Sequence, residues 1–441
     1  MRVTLTILLS FSVIFCYGTS YFVSSSSGHK NNDGLSALHP KKLIQEAADL
    51  TKPGDTVFVM NGTYSNDCPT CNVVNIPVSG KAGEYIVYTN YKSHKPTIRF
   101  DGWGGISIRD GISYIKISGF EVIGNNAKVT LKEALKQPGS CANTSGTYDP
   151  KFNGNGIVID GRNGKHPHHI VIENNTVHDC GGGGISAIQT DYITVENNLV
   201  YNTSFYSVFA TSGISFYQFW NYDQKKGYHN VIKRNKCYNN KSLVPWFQIC
   251  KLEDGNGIII DDFENKQNGS VIGRYLGRTL IENNVCWYNG GTGIHAFQSS
   301  QVDIINNTAY RNSQTRPLNA GEILAVSSHD IRIVNNILVA DKNNRINSNY
   351  KNTSIAYQNN LHYNITTPDK IKISISSPSC INGKNPNFEL PKHGLDASFA
   401  LQKKSPAINR ANQNLYSNSD QTGKIRVKGK PADIGAYEAP D

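Results

Sequence analysis

Apolar side chains recur at every second position in short β-branched runs, and each run ends on a polar doublet. The runs read IVIENNTV at 170–177, ITVENNLV at 193–200, VIKRNKCY at 231–238 and LIENNVCW at 280–287. They continue as VDIINNTAY at 302–310, IRIVNNILV at 331–339 and IAYQNNLHY at 355–363. Alternation with a period of two marks strands that bury one face. The first Asn of the doublet steps from 174 to 197, 283 to 306 and 335 to 359, intervals of 23, 23 and 24. A fixed period of this size indicates a solenoid.

A second strand follows most doublets: GISAIQ at 184–189, GISFYQ at 213–218, GIIIDD at 257–262 and GIHAFQ at 293–298. Strand, Asn-containing turn, strand and turn fit one coil of an all-β, right-handed parallel β-helix. Successive coils then stack at the strand spacing of ~4.8 Å, and the Asn residues can form an internal amide ladder. Such a ladder is structural, so the doublets are assigned no chemistry. The longer gaps, 198–235 and 236–283, must leave the coil as loops, and loops on a rigid scaffold are usual sites of function.

The ends read differently. Arg2, an apolar stretch from Val3 to about Cys16, and Gly18-Thr19-Ser20 form a secretory signal peptide pattern over 1–20. No later stretch is apolar enough to cross a bilayer. The remainder, 21–441, is expected to be a single domain, secreted or periplasmic and monomeric. Its N-terminal cap spans 21–65, with an amphipathic helix carrying Leu43, Ile44, Ala47 and Leu50, because an open terminal coil would be an aggregation-prone sheet edge. Main coils are expected over 100–365, and C-terminal coils and a tail over 366–441.

Charged residues make up 18% of the chain and Gly numbers 39, which argues against helical bundles. The net charge of +10 points to an acidic polysaccharide, or more loosely to cell-surface polyanions. Nothing suggests a nucleotide or nucleic-acid reader. Eight cysteines beyond Cys16 favour disulfides in an exported chain, and Cys68-Pro-Thr-Cys71 reads as a local loop disulfide. His166, His168 and His169, in GKHPHHI, read as solvent-exposed turn residues.

Aligning the second strands at their leading Ile sends Ile157, Ile185, Ile214, Ile258, Ile294 and Ile323 inward. One outward column then holds Val158, Ser186, Ser215, Ile259, His295 and Leu324, and the next holds Asp160, Ile188, Tyr217, Asp261, Phe297 and Val326. Tyr217, Asp261 and His295 fall on successive rungs, flanked at the turn by Gln218, Asp262 and Gln298. Asp160 stands two or three rungs away, ~10–15 Å along the same groove.

These repeats, the N-terminal stretch YFVSSSSGHKNNDGLSALHPKKLIQEAADL and the tail SPAINRANQN…ADIGAYE resemble the pectate-lyase-like right-handed parallel β-helix superfamily. That resemblance implies the fold, and it implies polysaccharide chemistry on the outer face. In the calcium-dependent lyases of that superfamily, acids on this face hold Ca²⁺ and a Lys or Arg removes the C5 proton of a uronate. The pair Asp261–Asp262, with Asp254 in reach, looks similar to such a cluster, and calcium is the implied cofactor. No Lys falls in an aligned column. Lys251 and Arg311 sit on adjacent loops, or Tyr217 and His295 serve as base and acid.

The leading expectation is therefore β-elimination on an acidic, uronate-containing polysaccharide, with Asp261, Asp262, His295, Tyr217 and Lys251 as catalytic candidates. Asp160, Gln218, Gln298, Trp220, Phe297 and Arg311 are the substrate-binding candidates. A polygalacturonase-type hydrolase using paired carboxyls is the alternative, since Asp160, Asp261–Asp262, His295 and Arg332-Ile333 follow that order loosely. A non-catalytic binding protein would instead stack sugars on Tyr217, Trp220, Trp246, Trp287 and Phe297.

Overall fold

Each coil turns on the doublet itself. The first residue of the pair adopts the left-handed conformation, with φ of 57° at Asn174, 55° at Asn283 and 61° at Asn335, which Asn tolerates better than most residues. The second residue points inward. In the computed structural model, which describes residues 18–426 and 430–440, this corner splits each run into two strands. His168–Glu173 is thus followed by a separate Thr176–His178. A coil has three strands where the alternation alone suggested two. Among the described residues they form three parallel sheets of eleven, eleven and nine strands.

The inward Asn residues form the expected ladder. Asn284 donates from its backbone N–H and from Nδ2 to Asn307 Oδ1 at 2.9 and 3.0 Å. Asn307 does the same to Asn336, and Asn336 to Asn360. Each amide also donates to a backbone carbonyl, so these buried polar groups are satisfied. A second ladder runs Asn240, Asn289, Asn312 and ends on the buried carboxyl of Glu322.

The extra length of both long gaps is loop and hides no further coil, since Ile185–Ile188 pairs directly with Ile214–Tyr217 and that strand with Ile258–Asp261. The N-terminal helix is shorter than its pattern suggested, Ile44–Ala48. Ile44 and Ala47 are buried, while Leu43 and Leu50 remain exposed because the helix ends before a second apolar turn forms. The expected signal peptide lies outside the described residues except for 18–20. No described helix is long and apolar enough to cross a membrane.

The tail folds back along the outer face of the second sheet, the eleven-stranded one that holds Thr176–His178, Val285–Trp287 and Thr308–Tyr310. Phe399 packs on Trp287 and Tyr310 at ring distances of 5.7 and 5.1 Å. Trp287 is only 2% exposed and donates to Gly394 O, so it is covered by the tail and does not face sugar. Arg426 locks the tail, pairing with Glu438 at 2.6 Å and donating to Asn283 Oδ1 at 3.0 Å.

Cys68–Cys71 is a disulfide, and Cys141–Cys250 joins two loops 109 residues apart. Cys180, Cys237, Cys286 and Cys380 are thiols, so the even count overstated the crosslinking. The first three fill inward core positions, where burial pushes the Cys180 and Cys286 thiols up and leaves them inert. The histidines of GKHPHHI are not free in solvent either. His169 stacks between Tyr114 and Tyr192 at 4.7 and 4.4 Å, and Tyr192 continues onto His229 at 4.1 Å. Ring stacking matches the rung spacing, which draws these side chains into one half-buried column.

Candidate functional site

The floor of the site is the outer face of the nine-stranded sheet. Register pairing puts Asp160, Ile188, Tyr217, Asp261, Phe297 and Val326 in one row, and Val158, Ser186, Ser215, Ile259, His295 and Leu324 in the next. These are the rows that the alignment of second strands gives. Ile258 and Ile260 point into the core and fix the strand that presents Asp261. Beneath the turn that follows, Phe216, Phe219 and Phe263 stack at 4.9 and 4.7 Å and make the floor stiff.

The two consecutive acids part company at the end of this strand. Asp262 occupies a turn position that Gln189, Gln218, Gln298 and Ser327 occupy on other coils, all left-handed with φ between 44° and 52°. Its carboxylate accepts from Gln218 Nε2 at 2.8 Å, Lys266 N at 2.9 Å and Gln267 N at 2.7 Å, and is wholly buried. Asp262 therefore anchors the loop that follows it. Gln218 is spent on the same anchor, and Gln298 accepts from Gln267 Nε2 at 3.0 Å.

Asp261 faces the groove and accepts from Gln267 Nε2 at 2.9 Å. Protein crowds it on most sides, yet part of the side chain still meets solvent. Burial, the neighbouring Asp254 charge and that of Asp262 push its carboxyl well above the usual range. Asp254 is pushed up to about 7 by burial and by Glu253, and Asn256 Nδ2 donates to it at 3.1 Å. Two acids, seven positions apart in sequence, sense each other at one end of the groove.

Around them, Tyr217 accepts from Asn268 Nδ2 at 2.7 Å, and burial raises its hydroxyl to about 12. His295 Nε2 is shielded from solvent and has no hydrogen-bond partner among the described residues. Burial lowers its pKa to about 4, so the imidazole is neutral. Phe297 packs against His295 at 5.7 Å. Lys251 is exposed on the wall loop, where its charge acts on Glu253. Trp220 stacks on His166 at 4.6 Å.

Asp160 and Arg311 stand apart from the acid pair. Asp160 lies three rungs from Asp261, ~14 Å, and is chelated by Arg162 at 2.9 and 2.8 Å, with Arg109 at 3.3 Å. Burial alone would raise Asp160, but Arg162 and then Arg109 hold it below the ordinary range. Arg311 pairs with Asp341 at 2.5 Å and lies over the Tyr288 ring, facing the second sheet and its tail.

A calcium ion on Asp254, Asp261 and Asp262 does not fit these residues. The Asp262 carboxylate is committed to three donors, and no group of three or more His, Cys, Asp or Glu among the described residues is placed to hold a metal ion. Glu253, Gln267, Asn268, Arg109 and Arg162 were missed by sequence reasoning. Arg109 had a signal, because GISIRD at 105–110 parallels GIVIDG at 156–161 one coil later. The loop residues had none.

A family model described as right handed beta helix region matches residues 12–368. Among solved structures, the pectate lyase Pel9A is similar at 17% identity with a TM-score of 0.54, covering 96% of this chain and 97% of that one. PfbA, a surface adhesin of Streptococcus pneumoniae, is similar at 15% identity with a TM-score of 0.50, covering 75% of this chain and 76% of that one. At such identities the likeness extends to the fold alone. No curated protein sequence matches the chain.

Proposed function

The chain belongs to the right-handed β-helix family, and from that premise we propose that it is an exported enzyme that hydrolyses glycosidic bonds of an acidic polysaccharide through Asp254 and Asp261. The carrying observation is that Asp261 faces the groove within the field of the Asp254 charge, with no ion pair to either acid among the described residues. Hydrolysis needs one carboxylic acid to protonate the leaving oxygen and one carboxylate to act as base or nucleophile. Two crowded carboxyls that share a field cannot both ionise easily, so the pair holds a proton near neutrality. Tyr217 and Phe297 flank Asp261 on the adjoining rungs as sugar contacts. Neutral His295 offers a hydrogen-bonding group at the floor.

Elimination remains the second reading, favoured by the exposed guanidinium groups of Arg109 and Arg162 along the groove. Its candidate base beside Asp261, Tyr217, is kept protonated by burial that raises it to about 12, and no calcium site fits among the described residues. The test is the product formed on polygalacturonate, alginate and chondroitin sulfate. New reducing ends without the absorbance of an unsaturated uronide support hydrolysis. Reducing ends with that absorbance overturn it in favour of elimination.

A further inference from the structure

The strand Ile258–Asp261 enters the groove from the loop 239–257 and leaves into the loop 262–277. A contact between those two loops must therefore cross above the strand, and one is present. Gln248 Nε2 donates to Asn268 Oδ1 at 3.1 Å. Both ends of this crossing are tied down. On the first loop, Cys250 is bonded to Cys141 of another loop, and a tight turn sets Cys250 N on Trp246 O at 2.8 Å. On the second, the turn Gln267–Gly269 is pinned from below. Gln267 reaches Asp261 and Gln298, and Asn268 reaches Tyr217.

Residues 267 and 268 thus lie over the row Tyr217, Asp261 and Phe297, and Gln248 closes the ring. We propose that Gln248 and Asn268 form a strap that confines the acid pair to the ends of glycan chains, excluding an unbroken polymer laid along the groove. Gln267, on the same turn, covers Asp261 on what is otherwise the open face of the solenoid. Gln248 and Asn268 are then specificity-determining residues, and the chain-end assignment rests on the proposed hydrolysis.

The strap can be tested without turnover. The full chain is treated with a water-soluble carbodiimide and either glycinamide or amine-substituted dextran, and labelling of Asp261 is read by peptide mass spectrometry. Glycinamide should label the native protein readily, and the dextran amine only slowly. Gln248→Ala, a change at an exposed side chain, should raise dextran labelling about fivefold, the shift expected for loss of one neutral hydrogen bond. Equal dextran labelling in native and variant protein, or native labelling by dextran as fast as by glycinamide, overturns the strap. A protein with the expected labelling that cleaves none of the three polysaccharides keeps the strap and loses the hydrolase reading.

Discussion

Gln218 donates from Nε2 to Asp262 Oδ2 at 2.8 Å across adjacent rungs, sealing the second of two consecutive acids away from the groove that the first one faces. The pair Asp261–Asp262 is thus divided between chemistry and architecture. Asp262→Ala should cost about 3 kcal/mol of stability, because two backbone N–H groups and an amide lose their acceptor in a buried place. Chemical denaturation should show that loss, whereas Asp261→Asn should leave the midpoint equal or higher.

Glu322 is the buried end of an amide ladder, accepting from Asn312 Nδ2 at 2.6 Å, and burial lifts its carboxyl to about 8. A raised folded-state value means stability that is complete below the ordinary carboxylate range and is lost as pH rises through about 8. Glu322→Gln, which keeps the acceptor and cannot ionise, should raise Tm at pH above that value and change little in acid. Calorimetry across this range checks the sign.

Asn307 gives two hydrogen bonds to Asn336 Oδ1 and takes two from Asn284. Asn307→Leu should destabilise the solenoid by about 2–4 kcal/mol, since donors and acceptors on both neighbouring rungs are left unpaired. The same replacement at Asn343, an exposed turn residue, should be nearly silent. Thermal unfolding of the two variants separates a ladder from mere Asn abundance.

The Cys141–Cys250 disulfide closes a loop of 109 residues, and Cys68–Cys71 closes one of three. Chain entropy assigns the longer loop about 5 kcal/mol and the shorter far less. Cys141→Ser with Cys250→Ser should therefore lower Tm clearly, and Cys68→Ser with Cys71→Ser should not.

What the chain discloses follows from the range of each interaction. The rows of the groove were legible because a solenoid repeats its register, so Tyr217 and Asp261 could be aligned by counting from Ile214 and Ile258. The split of Asp261 from Asp262 was half legible, since the same turn position carries Gln on neighbouring coils. Asp254 joining Asp261, and Gln267 covering it, depend on the path of two irregular loops, and no periodicity constrains those. Trp287 misled because its strand looks like any other until the tail, more than a hundred residues later, packs over it. The histidines misled because a polar turn sequence carries no sign that neighbouring rungs offer rings at the stacking distance.

The most direct test follows cleavage in water enriched in heavy oxygen, with native protein and Asp261→Asn, on polygalacturonate, alginate and chondroitin sulfate. Hydrolysis through Asp254 and Asp261 predicts one heavy oxygen at each new reducing end from the native protein, and loss of product from the variant while its fold is kept. Unsaturated product free of heavy oxygen, or undiminished cleavage by Asp261→Asn, would contradict the account.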